Sequence, residues 1–517
     1  MPNLLLTIDC GTQSLRSMIF APDGTLLAKE KVEYSSYFSE KPGWAEQDPE
    51  RFWDALCKTT RQLKAGYPEL FSEITGVGVT TQRDSMINLD NTGKPLRPVI
   101  TWLDQRKAKT VYHPNALMEL AYKLAGMQES LIKTQKDGKC NWIMQNQPEI
   151  WKKTYKYLQV SGFINYRLTG EFRDSIASQI GHIPFEYKKS RWAEGKELGR
   201  FLFPIPKDKL PDIIKPGEVL GKISAVASAA TGIAEGTPVI ACGSDKGCET
   251  IGMGVLNPGM ASLSFGTTAT VQTTTKKYFE PLKFMPAYPA PIPDHFNPEV
   301  EIFRGYWMIT WFKNEFGHTE IQEAEKEGIP PEVLLNRLLT QVPPGSMGLL
   351  AQPYWSPGLK VPSAKGAMIG FGDVHQRPHI YRAIIEGLAF ALLEGIHSLE
   401  KSGKTKINKL AVSGGASQSD EICQISADIF NLPLVRGKTF ETSGLGASIV
   451  TSVGMGIHPS FPEAIKAMVH YDRDFLPNPE HAELYSKLYH RVYKKIYPAL
   501  EKLYIEIRDI INYPEKN

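Results

Sequence analysis

Residues 4–20 have the sequence LLLTIDCGTQSLRSMIF, in which two apolar runs flank a small, polar turn. The runs, 4–9 and 15–20, are typical of β-strands, and so short a connection between strands requires antiparallel pairing. Residues 21–24, Ala-Pro-Asp-Gly, form a second turn, because Pro fixes φ and Gly accepts a positive φ. A third predicted strand over 25–34 makes the beginning of the chain an antiparallel meander.

A similar pattern recurs later in the chain. Predicted strands over 261–265 and 268–273 flank Gly266-Thr267, just as the first two strands flank Gly11-Thr12. The two Gly-Thr pairs are 255 positions apart (11 to 266) in a chain of 517 residues. Since helical and strand patterns alternate between them, the sequence predicts an α/β protein with two similarly built domains. A coincidence between two short turns is the alternative.

Composition limits the classes of protein that the chain can belong to. A length of 517 residues exceeds one ordinary domain, and 42% hydrophobic with 22% charged residues is typical of a globular protein. With 59 Lys and Arg against 56 Asp and Glu, no basic patch predicts nucleic acid or membrane binding. The six cysteines form no CxxC pair, and the first apolar run is too short for a signal peptide. We expect a cytoplasmic protein.

The turn after the first strand is the first candidate site. In Asp9-Cys10-Gly11-Thr12, backbone N–H groups near Gly11 can approach an anion closely. Asp9 suits a hydrated Mg²⁺, which is usually held by one or two carboxylates and phosphate oxygens. Arg16 on the next strand can reach a phosphate. An ordinary hairpin turn with a surface arginine is the alternative interpretation.

Two further glycine-containing turns have the composition of phosphate or nucleotide sites. Gly266-Thr267 repeats the first turn, and Gly414-Gly415-Ala416 lies between a predicted strand and a helix, where glycines allow a ligand to approach the backbone. A turn that simply requires glycine explains either segment equally well. The chain contains neither a dinucleotide GxGxxG fingerprint nor a P-loop, which disfavours a nicotinamide dehydrogenase.

Polar residues near other predicted strand ends have acid–base and ligand-binding chemistry. Asp245 follows a predicted strand over 239–242 and can act as a general base on a hydroxyl, or as a helix N-cap. Arg83 and Asp84 can donate and accept hydrogen bonds with a polyhydroxylated ligand, and Trp102 offers it an apolar wall. Buried salt bridges are the alternative.

Two segments carry a resemblance to a known family. Residues 366–371 (GAMIGF), a gap of seven residues and 379–387 (HIYRAIIEG) resemble the C-terminal signature of the FGGY carbohydrate kinases. Residues 139–144 (KCNWIM) are similar to the second half of the N-terminal signature. Phe371 and Lys136 depart from the family pattern. The similarity extends over about residues 9–447.

The resemblance implies an architecture and its ligands. It implies an α/β fold of two ribonuclease-H-like (actin-like ATPase) domains flanking an interdomain cleft that binds ATP, Mg²⁺ and a sugar. The expected domains are 1–250 on the sugar side and 251–517 on the nucleotide side, the latter with a helical tail.

The resemblance also implies roles for the residues singled out above. Asp245 is the expected catalytic base and also lies in the substrate pocket with Arg83, Asp84 and Trp102. Asp9 is expected to bind the metal. The expected nucleotide-binding residues are Gly11, Thr12, Arg16, Gly266, Thr267, Gly414, Gly415 and Ala416.

The expected activity is ATP-dependent phosphorylation of a small sugar or polyol, with a ketose such as xylulose preferred. Residues 82–85 (QRDS) resemble the glycerol-kinase motif, whereas 244–248 (SDKGC) do not, and 305–312 (GYWMITWF) resemble subfamilies that act on larger ketoses. A glycerol or other polyol kinase is the alternative within the family. A non-enzymatic actin-like ATP-binding protein is the alternative outside it. Expected partners are these small molecules only, and a homodimer is compatible with the sequence.

Overall fold

The protein divides into two compact units, each assembled from three segments of the chain. The computed structural model describes residues 3–124, 126–355, 361 and 363–512. The first unit comprises Met1–Gly254, Thr275–Asn297 and Glu441–Val469. The second comprises the remaining segments, Val255–Thr274, Pro298–Phe440 and His470–Asn517.

Short strands and helices alternate along the described chain. The strands are β1 (Leu4–Cys10), β2 (Ser14–Phe20), β3 (Leu26–Glu33), β4 (Glu46–Gln47), β5 (Ile74–Thr81), β6 (Met86–Leu89), β7 (Val99–Ile100), β8 (Lys156–Gln159), β9 (Arg173–Ser175), β10 (Phe185–Glu186), β11 (Arg191–Trp192), β12 (Asp212–Ile214), β13 (Val219–Lys222), β14 (Pro238–Ile240), β15 (Met260–Phe265), β16 (Ala269–Gln272), β17 (Tyr288–Pro289), β18 (Phe296–Asn297), β19 (Glu299–Ile302), β20 (Leu350–Gln352), β21 (Ala367–Ile369), β22 (Lys409–Ser413), β23 (Leu434–Gly437) and β24 (Tyr471–Phe475).

Helices lie between these strands along the described chain. They are α1 (Pro49–Gly66), α2 (Pro68–Ser72), α3 (Ala116–Leu124), α4 (Gln128–Asp137), α5 (Lys139–Asn146), α6 (Pro148–Lys153), α7 (Val160–Thr169), α8 (Leu198–Leu202), α9 (Ala225–Thr231), α10 (Asp245–Gly252), α11 (Trp307–Phe316), α12 (His318–Glu327), α13 (Pro331–Leu338), α14 (Arg377–Gly403), α15 (Asp420–Phe430), α16 (Thr442–Gly454), α17 (Phe461–Met468), α18 (Pro479–Leu488) and α19 (Lys494–Ile511).

The main sheet of the first unit has the order β13-β14-β5-β1-β2-β3. The predicted meander is confirmed, since β1 pairs antiparallel with β2 and β2 with β3. On the other side β1 pairs parallel with β5, and β5 pairs parallel with β14. Parallel pairing requires a crossover, and α1 supplies the one between β3 and β5. Asp48 caps α1 by accepting the N–H of Glu50, as its sequence predicts.

The main sheet of the second unit repeats this order. Its strands run β19-β16-β15-β22-β23-β24. Here β15 and β16 form the antiparallel hairpin, β22 pairs parallel with β15, and the outermost strands pair antiparallel with their neighbours. The prediction of two similarly built α/β halves, each starting from a Gly-Thr hairpin, is therefore confirmed.

Helix α16 belongs to the first unit although most of the second unit precedes it in the chain. It packs tightly on α10, because a Cβ at Gly446 would lie 1.8 Å from the carbonyl oxygen of Cys248. It also covers β5, because a Cβ at Gly78 would lie 2.2 Å from Oγ1 of Thr451. Only glycine fits at either position without displacing the neighbouring element.

The predicted domains, 1–250 and 251–517, did not include this return of the chain. Residues 275–297 and 441–469 contact the first unit although they follow residue 250. The assignment of sugar and nucleotide roles to the two halves stays a prediction. Among the residues with described structure, no helix combines the length and apolar character needed to cross a membrane.

Candidate active site

Asp9 and Arg16 face each other across the first hairpin. They are direct partners in the antiparallel register of β1 and β2, and Nη2 of Arg16 lies 2.8 Å from Oδ2 of Asp9. The turn is closed by a hydrogen bond from the N–H of Gly11 to the carbonyl of Ser14 at 2.9 Å. The turn length therefore sets the register that joins the predicted metal-binding carboxylate to the predicted phosphate-binding guanidinium.

Arg16 is held by a second carboxylate that the sequence analysis missed. Its Nη1 donates to Oε2 of Glu441 at 2.6 Å, and Nζ of Lys29 lies 2.8 Å from Oε1 of the same residue. The buried Nε of Arg16 finds no acceptor among the described residues. Glu441 directly precedes α16, a helix rich in small residues. That position was the only feature of the sequence that could have pointed to Glu441.

Asp245 is the first residue of α10 and is not its N-cap. Ser244 caps the helix, since its hydroxyl accepts the N–H of Gly247 at 3.3 Å. The N-cap alternative for Asp245 is therefore wrong. Its carboxylate accepts the N–H of Lys246 at 2.8 Å. Burial raises the pKa of Asp245, while the charges of Arg83 and Lys246 oppose that rise.

Several carboxylates of the first unit act on Asp9. Burial raises the pKa of Asp9 to about 6 even though Arg16 opposes the rise. The charges of Asp245, Glu441 and Glu249 contribute to this rise. The end of β1 and the start of α10 thus lie close enough to interact electrostatically, and negative charge accumulates around them.

This donor set fits a hydrated Mg²⁺. A divalent cation would relieve the repulsion between Asp9 and the neighbouring carboxylates, and Mg²⁺ usually takes one or two carboxylates together with waters and phosphate oxygens. Over the described residues, no three His, Cys, Asp or Glu side chains are grouped as a complete metal-binding set. Asp9 is the residue that would hold the cation, with Asp245 nearby.

Thr12 connects the phosphate turn to the predicted sugar wall. Its hydroxyl donates to Oε1 of Gln82 at 3.0 Å and accepts the indole N–H of Trp102 at 2.9 Å. Buried Gln47 donates to the backbone carbonyl of Thr12 at 2.8 Å. The hydrogen bond to Thr12 fixes the ring of Trp102. Because 41% of Trp102 is exposed, the ring is also available to a ligand.

Arg83 and Asp84 occupy different environments. The guanidinium of Arg83 lies 5.3 Å from the ring centroid of Tyr288. Asp84 forms ion pairs with Lys139 at 2.5 Å and with His182 at 2.9 Å, so the salt-bridge interpretation holds for its carboxylate. These pairs do not exclude ligand binding, because 16% of the Asp84 side chain is exposed.

The second unit brings its two glycine turns together. Gly414 has φ 90°, and a Cβ there would lie 2.8 Å from the carbonyl carbon of Phe265, the residue before Gly266. Gly415 has no atom within 4 Å of an added Cβ, so its outer side is open. Thr267 follows Gly266 in the hairpin turn, and Ala416 lies in the short helical turn that leads to α15. The turn that begins at Gly414 therefore packs against the end of β15, next to Gly266.

The predicted site residues therefore fall into two sets, one in each unit. The first unit holds Asp9, Gly11, Thr12 and Arg16 at one hairpin, and Asp245 and Arg83 interact with each other and with that region. Trp102 joins the set through Thr12. Lys139, His182, Gln47 and Glu441 were not predicted as site residues, because their partners lie far away in the sequence.

Comparisons with known proteins agree with this arrangement. The N-terminal domain model of the FGGY family of carbohydrate kinases matches residues 4–252, and the C-terminal domain model matches residues 261–455. An uncharacterized sugar kinase of Escherichia coli (strain K12), YgcE, is 29% identical over 94% of this chain and 91% of its own. A xylulose kinase of Lactococcus lactis is 28% identical over 94% of both chains.

The fold is also that of a solved kinase. The structure of a gluconate kinase from Lactobacillus acidophilus superposes with a TM-score of 0.82 and 23% identity, covering 98% of this chain and all of the other. The two domain models account for most of the chain and include every predicted site residue. A non-enzymatic actin-like protein is thereby excluded. The chain belongs to the FGGY family of carbohydrate kinases, which are phosphotransferases with an alcohol group as acceptor.

Proposed function

We propose that this chain transfers the γ-phosphoryl group of ATP to a hydroxyl of a small ketose, with xylulose as the preferred acceptor. The observation that carries the proposal is the partly buried Asp245 at the start of α10, within electrostatic range of Asp9 and Arg83. A partly buried carboxylate next to a phosphate turn has the position that a general base for a hydroxyl requires. Glycerol or another polyol is the alternative acceptor.

Asp245 removes the proton of the attacking hydroxyl in this proposal. Burial raises its pKa, which makes the ionised carboxylate a stronger base, while the charge of Arg83 favours the ionised form. A base works best when its pKa approaches the working pH and its position is fixed. The hydrogen bond from the N–H of Lys246 fixes the carboxylate of Asp245.

Arg16 and the Gly11-Thr12 turn stabilise charge on the transferred phosphoryl group. In phosphoryl transfer the protein contributes mainly by positioning the reactants and neutralising charge, and little by covalent chemistry. The guanidinium of Arg16, whose side chain is partly exposed, and the backbone N–H groups of the turn are suitable donors. Mg²⁺, held by Asp9 when bound, supplies further neutralisation of phosphate charge.

The second unit binds the nucleotide in this proposal. Gly266 and Thr267 contact phosphates, and the open side of Gly414, Gly415 and Ala416 receives the adenosine. The support is physical: a Cβ at Gly415 would meet no protein atom, so the surface leaves room for a flat ligand. Kinases of this family use ATP.

Arg83, Asp84 and Trp102 bind the acceptor. They offer a donor, an acceptor of hydrogen bonds and an apolar wall, which together suit a molecule with several hydroxyl groups. Relatives are named both xylulose kinase and gluconate kinase, so similarity does not choose between acceptors. The preference for a ketose rests on residues 305–312 and on the mismatch of 244–248 with glycerol kinases.

An acceptor screen tests the proposal. The purified chain is incubated with ATP, Mg²⁺ and one of D-xylulose, other pentuloses, hexuloses, glycerol, tetritols or D-gluconate, and ADP release is measured. The expected result is the highest kcat/KM with D-xylulose. A best acceptor outside the ketoses would contradict the substrate assignment, and no stimulation by any acceptor would contradict the activity.

The cytoplasmic location and the homodimer stay predictions from the sequence. Neither is needed for the proposed reaction. Size-exclusion chromatography with light scattering measures the oligomeric state directly.

A further inference from the structure

The carboxylate of Asp84 is enclosed by three hydrogen-bond donors. Its Oδ1 accepts the backbone N–H of His182 at 3.0 Å. Its Oδ2 lies 2.5 Å from Nζ of Lys139 and 2.9 Å from Nδ1 of His182. Lys139 begins α5, and only 6% of its side chain is exposed. Burying the ammonium group of a lysine costs solvation free energy, and the ion pair with Asp84 must offset that cost.

The backbone conformation at Asp84 places its carboxylate next to Lys139 and His182. Asp84 has φ 51°, a left-handed conformation that non-glycine residues rarely adopt. Its N–H donates to the carbonyl of Ile180 at 3.2 Å. Gly181 has φ 140°, and a Cβ there would lie 2.4 Å from Oδ1 of Asp84. Strain of this kind persists where surrounding contacts impose it, and it is commonly found at functional sites.

The arrangement leaves Asp84 with unused capacity to accept hydrogen bonds. A carboxylate offers about four lone-pair positions, and the protein donors occupy three of them. The remaining position is on Oδ1, which has a single protein donor. The nearby positive charges hold the pKa of Asp84 well below its usual range although burial opposes them. Asp84 therefore accepts hydrogen bonds and does not donate them.

We propose that Lys139 and His182 are positioning residues that fix the Asp84 carboxylate so that Oδ1 accepts a hydroxyl group of the phosphate acceptor. The inference rests on the proposed function and names the chemistry of one contact. A hydroxyl can donate to this oxygen, whereas a carboxylate end of a sugar acid would be repelled by it. Lys139 and His182 act through Asp84 and need not contact the acceptor.

A purely structural role for the ion pair is the competing explanation. In that case loss of Lys139 lowers stability, kcat and the affinities for both substrates together. A positioning role affects the acceptor alone. The two explanations therefore differ in which kinetic constant changes.

The test uses the full chain and the best acceptor of the screen described above. Lys139→Met is expected to raise the acceptor KM about tenfold or more, with kcat and the ATP KM within about threefold of the parent. Lys139→Arg restores a charged donor and is expected to recover most of that loss. His182→Asn keeps a donor near the Nδ1 position and is expected to be milder than His182→Ala.

A double-mutant cycle makes the test independent of stability. Asp84→Asn with Lys139→Met removes both charges, so no unpaired lysine or carboxylate remains buried. If Lys139 acts through Asp84, then Lys139→Met in the Asp84→Asn background changes the acceptor KM less than about twofold. Additive effects on that KM would overturn the inference, as would an unchanged acceptor KM in Lys139→Met alone.

Failure of this inference is distinguishable from failure of the proposed function. A parent protein that phosphorylates no sugar or polyol contradicts both. A parent protein that is active, with Lys139→Met variants that keep its acceptor KM, contradicts the positioning role alone. Thermal denaturation of each variant shows whether a lost activity reflects unfolding.

Discussion

Nη1 of Arg16 donates a hydrogen bond to Oε2 of Glu441 at 2.6 Å, and 425 positions separate the two residues in the sequence. The same guanidinium contacts Asp9 through Nη2 at 2.8 Å. Arg16 is thus held from two sides, and its remaining Nε–H finds no acceptor among the described residues. A phosphate-binding arginine in this setting needs little reorganisation when its ligand arrives.

Replacing Glu441 tests the importance of this constraint. Glu441→Gln keeps the shape of the side chain but removes the charge that pairs with Arg16 and Lys29. We expect kcat to fall about tenfold to a hundredfold, because Arg16 loses its fixed orientation. Lys29→Met is the matched control, since it removes the more exposed partner of Glu441 and should cost less than about 1 kcal/mol of stability. Equal loss of kcat in both variants would contradict this role.

Replacing the proposed base should separate binding from chemistry. Asp245→Asn is expected to lower kcat by about a hundredfold to ten-thousandfold, the usual contribution of a general base. ATP binding, measured by calorimetry, should stay within about twofold of the parent. The thermal midpoint should not decrease, because burial disfavours the charge of Asp245 in the folded state. Near-normal turnover in this variant would remove Asp245 from the mechanism.

The pKa of Asp9 makes stability depend on pH. Burial raises the pKa of this carboxyl from 3.8 to about 6, so the folded protein binds its proton more tightly than the unfolded chain does. The stability contributed by that proton is complete below about pH 4 and is lost as the pH rises to about 6. A free energy of about 3 kcal/mol corresponds to a shift of this size.

Asp9→Asn removes the titrating group. The variant therefore lacks the loss of stability that the parent shows as the pH rises. The free energy of unfolding of the variant relative to the parent should increase between about pH 4 and about pH 6, measured by urea denaturation without Mg²⁺. Asp54→Asn, on the exposed side of α1, is the matched replacement of a carboxyl by an amide in the same unit. A difference that shrinks as the pH rises would contradict the burial of an ionised Asp9.

Two adjacent glycines of the second unit allow a matched comparison. Gly414→Ala should destabilise the protein by about 1–3 kcal/mol, because φ is 90° and the methyl group would meet the backbone of Phe265. Gly415→Ala meets no protein atom and should leave the thermal midpoint nearly unchanged. Its ATP KM should nevertheless rise, if adenosine occupies that side of the turn. An unchanged ATP KM would place the adenosine elsewhere.

The parts of the fold that were predictable from the sequence are those formed by residues close together in the chain. The turn at 21–24 involves residues close in sequence, and it forms as predicted. The pairing of Asp9 with Arg16 depends only on the length of the hairpin. The return of 441–469 to the first unit was not predictable, because α16 is buried on nearly all sides and its composition does not indicate which sheet it covers.

In the candidate site, too, local motifs were recognisable in the sequence, whereas contacts between distant residues were not. Asp9, Asp245 and the glycine turns were singled out because each lies in a short motif next to a predicted strand, and their roles stay predictions. Lys139 and His182 were missed as partners of Asp84, since they lie 55 and 98 positions away. The N-cap alternative for Asp245 failed because Ser244, one residue earlier, has the hydroxyl that a helix start favours.

The return of α16 to the first sheet has a consequence for biosynthesis. On the ribosome, β1 and β5 emerge early, but the helix that covers β5 follows about 370 residues later, a delay of tens of seconds at ordinary translation speeds. During that interval the nascent first unit exposes an apolar sheet face while the second unit is being translated. The chain order therefore makes the earliest strands dependent on late-arriving residues, and truncated translation products ending before 441 are expected to bind chaperones.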